Sequence, residues 1–535
     1  MGQKRFHAQE AYLYHHEIFA STFMPSLVQL LRIDASAPTL ADNTGDADRL
    51  RRAVQAACGR EVHLPFNRTV PVCRSFRAAG FAGWAAVAHL PAGACIADFL
   101  PERPARFCGM ALDLGSTHLA AELVDLESGA TVAAAGRANG QIRFGADILS
   151  RIHHAVRGGG GELQRAVLDD VRFLAGELAA AAAIVPTEIR VLAVAGNTTM
   201  THLLLGLDPG QLCREPYIPQ ANVVEPFFAA ELGLGLHPAA PVWVLPNIGS
   251  YFGGDLIAGI LATDLWRREE VGMLIDVGTN AEVVVGNRDW LMACAGAAGP
   301  ALEGGIARMG MRAETGAVER VRFDPATGDF RVATIGDAPA RGICGSGMID
   351  LGAALYLAGI IDVRGRLRPG SHPRVVATAA GPAFAVATAE EGAGGRPVLL
   401  DQIDLDNMIR SKAAMYSILK TLVHQLGLTF ADIDRIYVAG AFGQHIDPRS
   451  AIVLGMLPDL PPEIFSPVGN SSLAGARRVI SDREAAAIAM ELGGRITYLE
   501  LNVNHEFMNR FSGARFIPHT DPSLFPSVPR VEAGR

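Results

Sequence analysis

The sequence contains few cysteines, and none of them are clustered. The seven cysteines stand far apart, at positions 58, 73, 95, 108, 213, 294 and 344. An odd number at such wide spacing argues against a disulfide framework. No C-x2-C or C-x4-C-x2-C run occurs, so the ferredoxin-type iron–sulfur motif is missing. We therefore expect no iron–sulfur cluster in this chain.

Long apolar runs and an excess of positive charge are also missing. The first ten residues are polar, and no uninterrupted apolar stretch reaches the length needed to cross a bilayer. The formal net charge is −8, and the basic residues form no long run. These features give no electrostatic basis for nucleic-acid binding. We expect a cytoplasmic protein that binds neither membranes nor nucleic acids.

The sequence does contain many hydrophobic residues and few charged ones, as expected for an α/β protein with a large buried core. Of its 535 residues, 49% are hydrophobic and only 19% are charged, and glycine is abundant. This composition is typical of a globular protein, and the length exceeds what one hydrophobic core supports. The predicted division is a tail at residues 1–24, a small α+β domain at 25–106, two larger units at 107–270 and 271–500, and a C-terminal tail at 501–535.

Two similar turns, one in each larger unit, carry the main functional signal. Residues 111–117 read ALDLGST and residues 274–280 read LIDVGTN, and a second strand-like run follows each. Each pattern predicts a hairpin with an aspartate at the turn. Glycine lets a phosphate approach the backbone N–H groups closely, and the aspartate can hold Mg²⁺ through waters. Two such turns indicate an internal duplication, in which the two duplicated units bind one nucleotide from both sides.

Two further glycine-rich turns are candidates for nucleotide contact. Residues 434–443 read DRIYVAGAFG, a strand that runs into glycines and then into a helix. This arrangement brings the backbone close to a nucleoside. Residues 345–347 read GSG and lead directly into an apolar helix, which makes them a candidate phosphate or ribose site. Ordinary helix capping or a sharp bend is the alternative interpretation of both turns.

The order of the Asp-x-Gly-Ser, Asp-x-Gly-Thr and Ala-Gly-Ala-x-Gly motifs resembles the actin, sugar-kinase and Hsp70 ATPase superfamily. The resemblance implies an α/β fold of two duplicated actin-like (ribonuclease H-like) ATPase lobes with ATP and Mg²⁺ between them. It implies that Asp113 and Asp276 lie at Mg²⁺ and the phosphates. Glu282 is a candidate to orient water, and a paired or surface carboxylate is the alternative for it. The residues expected to contact the nucleotide are Gly115, Ser116, Thr117, Gly278, Thr279, Asn280, Gly345, Ser346, Gly347, Gly440, Ala441 and Gly443.

A longer set of segments resembles one family within that superfamily, the ATP-dependent reductive activators of corrinoid proteins. The set extends over residues 25–525 and includes the segments 42–50, 195–200, 246–255, 303–313, 344–347 and 516–521. The resemblance implies that the chain uses ATP to help return an inactive Co(II) corrinoid protein to Co(I) in a methyltransferase system. Members of that family usually carry an iron–sulfur domain, which is not recognisable here. The expected electron donor is therefore a separate ferredoxin-like protein.

Three other functions are compatible with the same motifs. Dehydratase activators of the superfamily hold a [4Fe–4S] cluster between two subunits, and Cys294 and Cys344 of a homodimer could supply its four ligands. A small-molecule kinase needs a catalytic carboxylate that faces a substrate pocket, and no residue clearly has that role in the sequence. A non-catalytic ATP-gated binding module would use the same turns without hydrolysis.

Overall fold

The chain folds into a small N-terminal domain followed by two larger lobes. The structure is a computed structural model that describes residues 25–250, 252–278, 280–296, 307–501 and 504–531. Within these ranges, no helix is both long enough and apolar enough to cross a membrane.

The N-terminal domain combines one four-stranded sheet with two helices. Its strands are β1 (Val28–Asp34), β2 (Val62–His63), β3 (Ala82–Leu90) and β4 (Gly93–Leu100), in the order β1-β3-β4-β2. Its helices are α1 (Asp46–Cys58) and α2 (Phe66–Ala78). Leu50 and Val54 of α1, Phe76 of α2 and Phe99 of β4 share a small separate core. The expected α+β domain is confirmed.

The first lobe is built on a six-stranded sheet. Its strands are β5 (Cys108–Leu114), β6 (His118–Asp125), β7 (Thr131–Ala138), β8 (Ile189–Gly196), β9 (Phe227–Phe228) and β10 (Pro241–Val244), in the order β7-β6-β5-β8-β10-β9. Its helices are α3 (Ile148–His154), α4 (Gly160–Ala181), α5 (Thr198–Leu205), α6 (Ala229–Leu232) and α7 (Gly254–Ala262). Strand β5 lies at the centre of the lobe, antiparallel to β6 and parallel to β8.

The second lobe repeats this arrangement and adds an insertion. Its strands are β11 (Gly272–Val277), β12 (Ala281–Gly286), β13 (Leu291–Gly296), β14 (Ala317–Asp324), β15 (Asp329–Thr334), β16 (Gly342–Ile343), β17 (Val375–Thr378), β18 (Gly381–Ala387), β19 (Val398–Asp401), β20 (Arg435–Ala439), β21 (Phe465–Gly469) and β22 (Ile496–Leu499). Its helices are α8 (Gly345–Leu357), α9 (Gln402–Gln425), α10 (Gly440–Gly443), α11 (Pro448–Leu454), α12 (Ser471–Ser481), α13 (Arg483–Arg495) and α14 (His505–Ala514).

The strand orders of the two main sheets show the duplication directly. The second sheet has the order β21-β20-β11-β12-β13-β22, which matches β10-β8-β5-β6-β7 of the first sheet strand for strand until β22. Strand β11 is antiparallel to β12 and parallel to β20, as β5 is to β6 and β8. Strands β14 to β19 form two small sheets inserted between β13 and β20. The predicted duplicated ATPase lobes are therefore confirmed.

Helices α7 and α12 join the two lobes. They pack closely against each other, and α12 also contacts β5 and β8 of the first lobe. At their crossing, a Cβ on Gly475 would lie only 2.1 Å from the carbonyl oxygen of Ala258. One apolar core around these helices includes Leu27 of the N-terminal part, Ala111 of β5 and Leu274 of β11. The three parts of the chain thus share a common packed base.

The segment predicted as a C-terminal tail packs onto the second lobe. Helix α14 lies along α9, and Phe507 and Phe511 of α14 contact the core of the lobe. The fully buried Lys412 of α9 donates hydrogen bonds to the carbonyl oxygens of Phe516 and Pro518. The sequence pattern missed this helix because its apolar residues are few and prolines follow it closely.

Candidate functional site

Asp113 and Asp276 occupy equivalent positions in the two lobes. Each is the second-to-last residue of the central strand, Asp113 on β5 and Asp276 on β11. Across the neighbouring parallel strands, Asp113 pairs with Ala195 and Asp276 with Ala439. Burial raises the pKa of Asp276, and the charges of Asp255 and Asp113 add to the effect, in agreement with carboxylates that lie near each other. The structure thus brings together the two aspartates that the sequence singled out.

The Asp113 carboxylate is held by the opposite lobe. Asn470 Nδ2 donates to Asp113 Oδ2 at 2.7 Å, and Ser472 Oγ donates to Oδ1 at 2.9 Å. Both donors belong to the start of α12, which follows β21. Burial raises the pKa of Asp113, although these two hydrogen bonds favour its charged form and oppose the rise. Asp113 therefore serves as a contact between the lobes as well as a candidate ligand.

A third carboxylate, Asp255, joins this pair. It lies in the first turn of α7, and its Oδ1 accepts a hydrogen bond from the Leu256 N–H at 2.9 Å. Burial raises the pKa of Asp255 to about 7, and the charge of Asp113 adds to the effect. Burial also raises the pKa of Asp276 to about 7, helped by Asp255 and Asp113. Three carboxylates from three separate elements therefore converge.

Sequence reasoning missed Asp255 as a functional carboxylate. An aspartate in the first turn of a helix is common, because it interacts favourably with the helix dipole. The glycine-rich segment before it predicts a turn but says nothing about what the side chain faces. Only a search for every acidic residue beside a glycine turn would have marked it.

The carboxylates suit Mg²⁺ held through water rather than directly. Among the described residues, no three His, Cys, Asp or Glu side chains are close enough to bind one ion together. Mg²⁺ keeps several water ligands and is bound through one or two carboxylates and substrate phosphates. Like charges that converge in a buried site repel one another, and a divalent cation relieves that repulsion. The oxygen-rich donor set therefore fits a hydrated Mg²⁺ bound together with phosphate.

The first phosphate turn is fixed in shape by two asparagines. Asn197 Nδ2 donates to the Ser116 hydroxyl at 2.9 Å. Asn139 donates from Nδ2 to the carbonyl of Gly115 and from its backbone N–H to that of Thr117, both at 2.9 Å. These bonds engage carbonyl and hydroxyl oxygens of the turn rather than its N–H groups. The turn is thus held in place by contacts that do not occupy the groups expected to bind phosphate.

The second phosphate turn is described in part. The Gly278 N–H donates to the Asn280 carbonyl at 2.9 Å, and Thr279 lies outside the described residues. Asp276 and Glu282 are directly paired across β11 and β12, so their side chains lie on the same face of the sheet. The structure therefore places Glu282 beside the carboxylate cluster, and its catalytic role stays a prediction.

The turn after β20 approaches Asp276 closely. Gly440 has φ of +84°, and a Cβ there would lie 2.7 Å from the Val277 carbonyl oxygen and 3.1 Å from Asp276 Oδ1. A side chain is excluded at Gly440 for both reasons. A Cβ on Gly443 would lie 2.8 Å from Val438 Cγ1. Ala441 lies between them in the backbone of α10, and of the three predicted residues Gly440 is the one shown to adjoin the second aspartate.

The Gly345–Gly347 turn makes its described contacts with β14. Ser346 is 6% exposed, and its hydroxyl lies 3.3 Å from the carbonyl oxygen of Glu319. A Cβ on Gly347 would lie 2.1 Å from the Val318 carbonyl oxygen, so glycine allows α8 to pack closely on β14. These contacts explain the glycine at position 347 by packing, and nucleotide binding by the turn stays a prediction.

The two cysteines proposed for a shared cluster are both buried. Cys294 has no exposed surface, and its pKa is raised by burial and by the charge of Glu282. Cys344 is 3% exposed, and its thiol lies 3.3 Å from the Val318 carbonyl oxygen. A cluster between subunits needs thiolates at the protein surface. The burial of both thiols argues against that arrangement.

The duplicated lobes, each with an Asp-x-Gly turn at the end of its central strand, define a protein of the actin-like ATPase class. Residues 270–529 match a family model described as the C-terminal domain of RACo, the ASKHA domain, and residues 108–268 match the RACo middle region. The chain is 31% identical over 428 residues to the corrinoid activation enzyme RamQ of Eubacterium limosum, across 78% of this chain and 72% of that protein. The chain therefore belongs to the RACo family of corrinoid activators.

Two more relatives agree with this assignment. The [Co(II) methylated amine-specific corrinoid protein] reductase of Methanosarcina barkeri is 24% identical over 436 residues, which is 75% of each chain. A solved structure of a reductive activator for a corrinoid, iron–sulfur protein is 37% identical and superposes with a TM-score of 0.88. That superposition covers 95% of this chain and 82% of the solved one. The expected family is confirmed; the segment 303–306 of its motif set lies outside the described residues.

Proposed function

We propose that this protein uses ATP to reactivate a corrinoid protein of a methyltransferase system by reduction of Co(II) to Co(I). Membership of the RACo family and the names of the relatives support this function. The observation that carries it is the convergence of Asp113, Asp255 and Asp276 between two duplicated phosphate turns. That arrangement suits phosphoryl chemistry with Mg²⁺, which catalyses by positioning and by charge stabilisation.

In the proposed site, Mg²⁺–ATP binds between the lobes and supplies the driving force. Asp113 and Asp276, now joined by Asp255, hold the waters around Mg²⁺. Residues 116–117 and 279–280 offer backbone N–H groups to the phosphates, while the Gly278 N–H is bonded to the Asn280 carbonyl. Glu282 orients the attacking water. Gly440, Ala441 and Gly443 line the adenosine side, and Gly345, Ser346 and Gly347 contact a phosphate or the ribose.

Reduction needs an electron that no recognisable motif of this sequence supplies. We propose that a separate ferredoxin-like iron–sulfur protein donates it, that the reaction takes place in the cytoplasm, and that a homodimer is possible. ATP can drive the transfer only if it favours one state of the complex over another. The lobes would close on ATP and open after hydrolysis, and this motion would change the affinity for the corrinoid protein.

The cobalt absorption spectrum tests this function. The protein is mixed with candidate corrinoid proteins in the Co(II) state and a low-potential electron donor. We expect slow reduction without the protein and faster reduction with it, but only with hydrolysable ATP. A non-hydrolysable analogue and the Asp276→Ala variant serve as controls. If ATP has no effect on the change from Co(II) to Co(I) with any corrinoid partner, the activase function is wrong.

A further inference from the structure

One side-chain contact joins the lobes beside the first phosphate turn. Arg312 precedes β14 in the second lobe, and His118 is the first residue of β6 in the first lobe. Arg312 Nη1 lies 3.2 Å from His118 Nε2. A guanidinium has only donors, so the arginine N–H donates and the imidazole nitrogen accepts. Burial and the charge of Arg312 lower the pKa of His118, in agreement with a neutral ring.

This contact lies on the same side of the sheet as the carboxylates. His118 follows Thr117, the last residue of the first phosphate turn, and Asp113 pairs with Ala120 across β5 and β6. Alternate residues of a strand share a face, so His118 and Ala120 point to the Asp113 side. The Arg312 guanidinium therefore lies next to the turn that is proposed to bind phosphate.

The backbone that carries Arg312 is firmly packed. The Met311 N–H donates to the carbonyl of Ile343, the last residue of β16, at 2.9 Å. A Cβ on Gly342 would lie 2.6 Å from the Met309 carbonyl oxygen, so the two segments are in close contact. Arg312 itself is exposed. Its side chain can therefore change partner while its backbone stays fixed on the second lobe.

The proposed site has an excess of negative charge and no lysine nearby. The sequence contains three lysines, at positions 4, 412 and 420, and thus none between residues 107 and 270 or in the second phosphate turn. Lys412 is buried against backbone carbonyls, and Lys420 lies over the ring of Phe430. Three aspartates and a polyphosphate together carry more negative charge than one Mg²⁺ neutralises, so a positively charged side chain would stabilise the complex. Arg312 is the arginine that the described contacts place beside the first phosphate turn.

We propose that Arg312 binds the terminal phosphate of ATP and releases it after hydrolysis, so that the phosphate content of the nucleotide controls closure of the lobes. This inference rests on the proposed ATPase function. Charge-assisted bonds to phosphate are stronger than a bond to a neutral imidazole, so ATP draws the guanidinium from His118. In hydrolysis, the water oxygen bonds to the γ-phosphorus while the bond from that phosphorus to the bridging oxygen breaks. Arg312 neutralises the charge on the γ-phosphate oxygens.

Calorimetric titration of the full chain with nucleotides in the presence of Mg²⁺ tests this role. We expect Arg312→Gln to weaken binding of a non-hydrolysable ATP analogue by about ten- to hundredfold, the range for hydrogen bonds to a charged group. ADP binding should not change. Arg312→Lys should restore part of the loss, because lysine keeps the charge without the planar fork. Arg331→Gln is the matched control, since Arg331 is an exposed arginine on β15 of the same lobe and is paired with Asp324.

Small-angle X-ray scattering gives an independent readout of closure. The ATP analogue should make the parent protein and Arg331→Gln more compact, and Arg312→Gln should not respond. Equal losses for the analogue and ADP, or no loss of either, would overturn the role of Arg312. If the parent binds neither nucleotide, this role and the proposed function both fail. If the affinity for the analogue depends on Arg312 but cobalt reduction is not accelerated, only the activase function fails.

Discussion

The two lobes share one fold, but their equivalent aspartates make different contacts. Asp113 receives hydrogen bonds from Asn470 and Ser472 of the opposite lobe. Asp276 instead lies near Asp255 and directly across from Glu282. Duplication thus explains the fold, whereas later divergence of single residues explains why the two carboxylates have different surroundings.

The helices that start beside these aspartates differ in the same way. Helix α7 follows β10 and begins with Gly254 and Asp255, and α12 follows β21 and begins after Asn470. In the equivalent place, the first lobe therefore offers a carboxylate and the second offers an amide and hydroxyls. We infer that the first-lobe helix serves the cation and the second-lobe helix fixes the partner aspartate.

The largest expected effect comes from removal of either aspartate. Asp276→Ala and Asp113→Ala should each lower Mg²⁺–ATP hydrolysis by about a hundredfold or more, as loss of a key electrostatic group does. The folded state should persist, since both residues lie one position before the end of their strands and loss of either carboxylate relieves repulsion within the cluster. Steady-state phosphate release measures the effect, and Asp289→Ala, an exposed aspartate in the β12–β13 turn, is the control. Unchanged hydrolysis in both variants would refute the assignment of the site.

The helix crossing offers the next test. In Gly475→Ala the new Cβ would meet the backbone carbonyl of Ala258 at 2.1 Å, so α7 and α12 must separate. We expect a loss of about 1–3 kcal/mol in the free energy of unfolding, as in overpacked cores. Gly176→Ala is the matched control, because a Cβ there meets nothing within 4 Å in the long helix α4. Alanine should stabilise that helix by about 0.5–1 kcal/mol. Urea titration of both variants shows whether Gly475→Ala lowers the free energy of unfolding while Gly176→Ala raises it.

A smaller effect is expected from release of Asp113. Asn470→Ala removes the donor 2.7 Å from Asp113 Oδ2 and leaves the Ser472 bond in place. We expect the free energy of unfolding to fall by about 2 kcal/mol, because the change also removes the helix cap in which Asn470 Oδ1 accepts from the Leu473 N–H. ATP hydrolysis should fall several-fold, far less than in Asp113→Ala. A loss as large as that of Asp113→Ala would show that Asn470 contacts the nucleotide itself.

The last test, for which we expect no change near neutral pH, concerns a contact between the N-terminal domain and the first lobe. Asp98 of the N-terminal domain is paired with Arg190 of β8 at 2.6 Å and with His237 at 3.2 Å. Burial alone would raise the pKa of Asp98, but the hydrogen bond from His237 and the charge of Arg190 outweigh it and hold that pKa well below its ordinary value.

A lowered carboxyl pKa stabilises the folded state above the unfolded pKa of about 3.9, and the stability is lost as pH falls toward the folded value. From pH 7 to pH 5 we therefore expect no change in the contribution of Asp98 to unfolding. Below about pH 4 the difference between the parent protein and Asp98→Asn should shrink. Urea unfolding across pH 3–7 measures it. If the difference in the free energy of unfolding between the two proteins instead grows in acid, the pKa of Asp98 is raised and not lowered by folding.

The sequence by itself determined the parts of this protein that depend on local patterns. A strand that ends in Asp-x-Gly and returns as another strand is a short-range signal, because turn chemistry and strand alternation act over a few residues. That signal located Asp113 and Asp276, and the repetition of the pattern predicted the duplication. The strand before Gly440 was likewise recognisable, because an apolar run that ends in glycines is a local signal for a strand followed by a turn.

Only the tertiary structure decided which distant residues complete the site. Asn470 lies 357 positions from Asp113 in the chain, and Arg312 lies 194 positions from His118. Asp255 looked like an ordinary residue of a helix start until α7 brought it to the other carboxylates. These residues carry no local signal, because their roles come from packing of the two lobes around crossed helices. Local patterns fixed the phosphate turns, and long-range packing fixed the charges and hydrogen bonds around them.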